Sequence, residues 1–255
     1  MKLASFIHAG QPRYGQVLAE RFLLPPADFL ARHPDLLSVL RAQALGELEQ
    51  ALQAGAVSVD AAQTQALPVI PNPGKLICVG LNYKTHVAET RRADSEHPSL
   101  FLRFNDSLAA DGDELLRPAF SERFDWEGEL AVVIGRPARH VKAEDALSYV
   151  AGYSIVNDVS ARDLIARTDY KMLGTDWLRS KSPPSFMPCT NGKNSRSIAA
   201  GSNCCVSILR LDSQDGAGGA QLALRLVQGR GDDGQVAHLA GAARLLIPPL
   251  ILASA

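Results

Sequence analysis

From Lys75 to Pro188 the apolar residues come in short runs, at 76–79, 100–104, 130–134 and 150–156, with glycine and proline turns between them. Runs of four to seven residues are strand lengths, below the ~10–12 that a helix takes, so this stretch reads as a β-rich body. Ahead of it lies a different text. Residues 1 to 68 hold a short alternating segment, Lys2 to Ile7, and a second apolar stretch, Val17 to Leu24. A helix then follows from about Pro34 to Gln53, in which Leu36, Leu37, Leu40, Leu45, Leu48 and Leu52 form one apolar stripe. The proline-marked PVIPNPG, Pro68 to Gly74, separates the two. The expected organisation is an N-terminal α/β unit over 1–68, a catalytic body over 69–188 and a third segment over 189–255.

That third segment differs from both. Its 67 residues contain none of the 15 aromatics, no glutamate, and three of the four cysteines, Cys189, Cys204 and Cys205. Aromatic side chains carry much of the burial in a core, so their absence argues against dense packing there. DGAGGA at 215–220 and GRGDDG at 229–234 read as turns, since neither has the strand-to-helix context of a phosphate loop. The cysteines show no CxxC spacing, which points to free thiols and away from a zinc site or a disulfide framework.

Charge and hydropathy narrow the partners. Twenty-six basic against 27 acidic residues leave no overall positive field for nucleic acid or an anionic membrane. The longest apolar stretch, Leu245 to Leu252, is eight residues broken by two prolines, far short of the ~20 needed to cross a bilayer. No secretory apolar core follows Met1. The expectation is a cytoplasmic protein acting on a small molecule, with neither nucleic acid nor membrane as partner.

The chemistry is concentrated in carboxylates. In FDWEGELAVVIG, Phe124 to Gly135, an extended chain sets Glu127 and Glu129 on one face, with Cα atoms roughly 6.6 Å apart. The apolar residues that follow imply a buried strand, where two like charges repel unless a cation lies between them. Asp158, in YVAGYSIVNDVSARD, interrupts a second apolar run and offers a third oxygen ligand. Hard oxygen donors favour Mg²⁺, Mn²⁺ or Ca²⁺. Taken alone, the paired glutamates read more readily as a solvated edge; the company of Asp158 lowers that alternative. In CVGLNYKTHVAE, His86 and Glu89 share a face of a helical turn, so the carboxylate could raise the basicity of the imidazole. Lys181, in LRSKSPP, is a candidate cation beside a developing oxyanion.

Together, GLNYKTHVAE, HPSLFLRFNDSL, FDWEGELAVVIG, GYSIVNDVSARDL and GTDWLRSKS resemble the fumarylacetoacetate hydrolase family in residues, order and spacing. The resemblance covers about Met1 to Pro188. It implies an α+β, β-rich fold, a mixed β-sandwich or roll with a small N-terminal α/β unit, commonly a homodimer. It makes Glu127, Glu129 and Asp158 metal ligands, His86 and Glu89 a water-activating pair, and Lys181 an enolate contact. Tyr83, Arg103 and Arg162 fall at substrate-side positions, Arg162 as a residue that orders the site. The implied reaction is metal-dependent hydrolysis of a C–C bond in a small 2-oxo acid, with isomerisation and decarboxylation as neighbouring chemistries. Two departures stand out. Leu164 and Ile165 follow SARD where the family often has Gln, and nothing after Pro188 resembles the family's late strands or its glycine-rich substrate turn. A tail read out of the ancestral frame, and hence a catalytically incompetent relative, is the alternative reading.

Overall fold

The computed structural model describes residues 1–80, 82, 99–166 and 174–189, with a separate strand pair at 226–229 and 236–239. The N-terminal unit is built on an antiparallel sheet of five strands: β1 (Leu3–His8), β2 (Gln11–Leu18), β3 (Arg21–Leu24), β4 (Val57–Asp60) and β5 (Gln65–Ala66). Their order in space is β4-β3-β2-β1-β5. Three helices are inserted between β3 and β4: α1 (Ala27–Arg32), α2 (Leu36–Arg41) and α3 (Leu45–Gly55). Two apolar clusters flank β1. Leu3 packs with Tyr14, Phe29, Val39, Leu48 and Leu52, while Ala4 and Phe6 pack with Val17, Phe22 and Val59. Gly15 is required where β2 passes β3, because a Cβ there would lie 2.2 Å from the Leu23 carbonyl oxygen.

Two expectations for this unit change. The apolar stretch Val17 to Leu24 is a hairpin, turning at Ala19 with φ of 48°. The single helix from Pro34 to Gln53 is two helices, α2 and α3. At the break Gln43 takes φ of 55°, its N–H donates to Leu40 O at 2.9 Å, and the Ala44 N–H donates to Val39 O at 2.9 Å. That is a Schellman stop, with glutamine in the left-handed position usually given to glycine. Asp35 caps α2, accepting the Ser38 N–H at 2.6 Å. The expected linker is anchored to this unit, since Val69 is buried in its core and Ser5 Oγ donates to Val69 O at 2.7 Å.

The body is strand-rich, as expected, with its ladders in pairs. β6 (Leu76–Gly80) and β7 (Ser99–Arg103) are antiparallel, β8 (Leu108–Ala109) runs parallel to a later strand, and β9 (Phe124–Asp125) leads into β10 (Gly128–Ile134). β11 (Val150–Asn157) pairs with β10, β12 (Ser160–Ala161) pairs with β9, and β13 (Met187–Pro188) closes on β8. Between β12 and β13 lies a short helix, α4 (Trp177–Lys181). The expected burial of β10 is only partial. Leu130 to Val133 are half-buried and Ile134 is exposed; among the described residues the strand pairs only with β11, and it borders a cavity. Beyond Cys189, β14 (Leu226–Gly229) and β15 (Val236–Leu239) form an antiparallel pair. The two glycine-rich turn expectations lie outside the described residues apart from Gly229. Among the described residues no helix is long and apolar enough to cross a membrane.

Candidate active site

One register runs through both acidic motifs. Gly128 lies opposite Asn157 in the β10–β11 ladder and Asp125 opposite Ser160 in the β9–β12 ladder, so the interruption between them sets Glu127 opposite Asp158. The backbone closes this step: the Asp158 N–H donates to Glu127 O at 2.7 Å, and the Glu127 N–H donates to Asn157 Oδ1 at 3.0 Å. Residues directly opposite share a face. Two carboxylates from different motifs are therefore forced together, and the fold must supply positive charge to hold them.

Three cations do so. Lys181 Nζ donates to Glu127 Oε2 at 2.9 Å and to Asp158 Oδ2 at 2.7 Å. Arg162 Nη1 lies 2.7 Å from Glu127 Oε1, and its Nε donates to Asp125 Oδ2 at 2.9 Å. Arg103 Nη2 pairs with Asp158 Oδ1 and donates to Val159 O at 2.8 Å, while Nη1 donates to the carbonyls of Lys181 and Phe186. Ser160 Oγ donates to Glu127 Oε1 at 2.9 Å. Removing one partner from so buried a cluster would leave an uncompensated charge, which costs about 3–5 kcal/mol.

Local sequence places Lys181. Asp176 caps α4 by accepting the Arg179 N–H at 3.1 Å, and Pro183 and Pro184 end the helix. Trp177 stacks on Phe101 of β7 with ring centroids 4.7 Å apart. That stack docks α4 on the strand that also carries Arg103, so Lys181 and Arg103 reach Asp158 from one scaffold. The cluster opens on a cavity of about 970 Å³ lined by Cys78, Phe101, Glu127, Glu129, Asp158 and Lys181, among others. Burial, then the Asp158 charge, pushes the Cys78 thiol up to about 12; burial does the same for Cys189. Neither thiol is a nucleophile near neutrality.

The expected site residues are only partly assembled. Glu127, Asp158, Lys181 and Arg162 converge. Glu129 borders the same cavity but lies opposite Val156, one step along the face, and among the described residues no three His, Cys, Asp or Glu side chains stand close enough to hold a metal ion. Arginine and lysine pair with both Glu127 and Asp158. Arg103, expected at the substrate, has a side chain with 0% exposure and is consumed by Asp158 and three carbonyls, so it holds the site from behind. His86, Glu89 and Tyr83 lie outside the described residues. Asp125, Asn157 and Ser160 were not anticipated. Their signal was present, since polar residues at 125 and 127 and at 158 and 160 each alternate with the period of a strand.

The residues present do fit a hard cation in chemistry. Two carboxylates already share one positive charge, Glu129 is at hand, and buried Asp158 Oδ1 meets Arg103 as an ion pair without a hydrogen bond of good geometry. Oxygen donors of this kind select Mg²⁺, Mn²⁺ or Ca²⁺.

Comparison with known proteins gives the geometry its relatives. A family model described as fumarylacetoacetate (FAA) hydrolase C-terminal matches residues 75–207, running past Pro188. The chain is 43% identical over 116 residues to a fumarylacetoacetate hydrolase domain-containing protein 2 homolog of Dictyostelium discoideum, covering 46% of this chain and 37% of that protein. It is 38% identical over 160 residues to a mitochondrial oxaloacetate tautomerase of Rattus norvegicus, covering 63% of this chain and 47% of that one. A solved fumarylacetoacetate hydrolase from Exiguobacterium antarcticum superposes with a TM-score of 0.58 at 30% identity, over 73% of this chain and 64% of that one. The chain thus spans less than half the length of these two sequence relatives.

Proposed function

The chain belongs to the fumarylacetoacetate hydrolase family, and from that premise we propose that it forms and quenches the enolate of a small 2-oxo acid, with keto–enol tautomerisation as its reaction. The observation that carries this is the Lys181 ammonium, buried between Glu127 and Asp158 at the mouth of an apolar cavity. A positive group fixed in a water-poor site stabilises an enolate oxygen far better than it could in bulk water. Tautomerisation asks only for that charge and for a group that moves a proton at the carbon next to the carbonyl. The similarity to a rat protein named as an oxaloacetate tautomerase supports this choice.

A divalent cation, Mg²⁺ or Mn²⁺, held by Glu127, Asp158 and Glu129, would supply Lewis-acid polarisation of the substrate oxygens. The chain's own residues do the rest. Arg103 fixes Asp158, Arg162 and Ser160 orient Glu127, and Lys181 meets negative charge on the substrate. Hydrolysis of a C–C bond is the second reading, favoured by the likeness to a solved fumarylacetoacetate hydrolase. It needs in addition an activated water, for which His86 oriented by Glu89 is the candidate pair. A homodimer in the cytoplasm completes the proposal.

The deciding assay follows the ultraviolet absorbance of enol-oxaloacetate, and separately pyruvate release from an acylpyruvate panel, each with Mg²⁺ or Mn²⁺. Enzyme-dependent loss of the enol supports tautomerisation, and pyruvate release supports hydrolysis. Glu127→Ala should abolish whichever is seen; full turnover by that variant, or silence of the unmodified chain in both assays, would sink the proposal.

A further inference from the structure

Lys181 stands on the very oxygens that a cation would need. Its Nζ contacts Glu127 Oε2 at 2.9 Å and Asp158 Oδ2 at 2.7 Å, one from each acidic motif. The other two cations differ from it. Arg162 uses Glu127 Oε1 and Asp125, leaving Oε2 alone. Arg103 is wholly buried and tied to three backbone carbonyls, so it cannot leave. Lys181 is held chiefly by the two carboxylates, with one longer contact to Asp158 O at 3.3 Å. Its four-carbon stem is flexible where the arginine fork is rigid.

We infer that Lys181 serves as the internal counter-ion of Glu127 and Asp158, and that a divalent cation loading onto those two carboxylates would displace its ammonium into the cavity. Two positive charges cannot share these oxygens at bonding distance without strong repulsion in a partly desolvated site. The expelled group has somewhere to go. The cavity is open beside it, and the Phe101 ring, already 5.5 Å from Nζ, keeps a cation–π contact within reach of the flexible stem. The consequence is an order of events: cation loading exposes the ammonium that then meets an anionic substrate. This inference rests on the metal-dependent reading above and adds to it a competition between lysine and metal.

The test uses the full chain and Mn²⁺ as the probe. Amine labelling by reductive methylation, read by mass spectrometry with and without saturating Mn²⁺, compares Lys181 with Lys142, whose side chain is 76% exposed. Lys181 should be protected without metal and labelled severalfold more with it, while Lys142 should not change. Melting curves on the same samples report binding, because a ligand of the native state raises the melting temperature. A raised melting temperature with Lys181 still protected overturns the inference and leaves the metal-dependent reading standing. No thermal shift and no change in labelling sinks both. Equal labelling with and without Mn²⁺ also overturns the inference. As a second arm, Lys181→Met should bind Mn²⁺ about tenfold more tightly by titration calorimetry, and unchanged or weaker affinity counts against it. If that variant does not fold, the labelling of the unaltered chain decides.

Discussion

The N-terminal unit and the catalytic body solve opposite problems with similar strands. Around β1 the unit buries Leu3, Phe6, Tyr14, Phe22 and Leu48 almost completely, and Phe6 stacks on Phe22 at 4.2 Å between ring centroids. The body surrounds Asp158 with Arg103 and Lys181 and leaves Leu130 to Val133 only half-covered. Burial of apolar area stabilises the first. The second is held by charges that must all be present together, which is a poorer way to gain stability and a better way to fix a site.

This contrast can be broken. Phe22→Ala should cost about 3–5 kcal/mol in denaturant unfolding; a loss under ~1 kcal/mol would mean the unit is not held by its core. Arg103→Met should cost about 3 kcal/mol, the low end for a broken buried pair since Lys181 stays on Asp158. A double-mutant cycle with Asp158→Asn should show strong coupling, and simple additivity would count against a shared cluster. Gln43→Gly should gain about 1 kcal/mol by relieving the left-handed strain at the α2 stop, read as a higher melting temperature. One further effect is confined to alkaline solution. Folded Cys78 and Cys189 hold their protons to about pH 12, whereas thiols in the unfolded chain ionise near 8.5. Their contribution to stability is therefore complete below about pH 8.5 and is lost as pH rises from there toward about 12. Replacing both by alanine should flatten the alkaline decline in melting temperature; an unchanged decline would assign it to other groups.

Much of this was legible in the residues. Short apolar runs located β6, β7, β10 and β11, alternating acidic positions singled out Glu127 and Glu129, and the polar interruption of an apolar run singled out Asp158. The break between α2 and α3 was hidden because Gln43 occupies a position that normally announces itself with glycine. The buried position of Arg103, expected at the substrate, was hidden for a different reason. In β7 the charged residue points inward and Leu102, 64% exposed, points out. Apolar alternation predicts the reverse, and the Asp158 carboxylate with the carbonyls of Lys181, Val159 and Phe186, all remote in sequence, makes an interior arginine tolerable. Glu129 borders the same cavity as Glu127 but lies opposite Val156 and not opposite Asp158.

The continuous register across the acidic motifs also acts as a ruler. Side chains in an extended chain reverse direction with every residue, so a one-residue insertion between Asp125 and Gly128 would carry Glu127 to the far side and leave Asp158 with Arg103 and Lys181 but without its acidic partner. Natural variants of this chain should therefore differ in length almost anywhere except within these few positions, whatever substrate each has come to use.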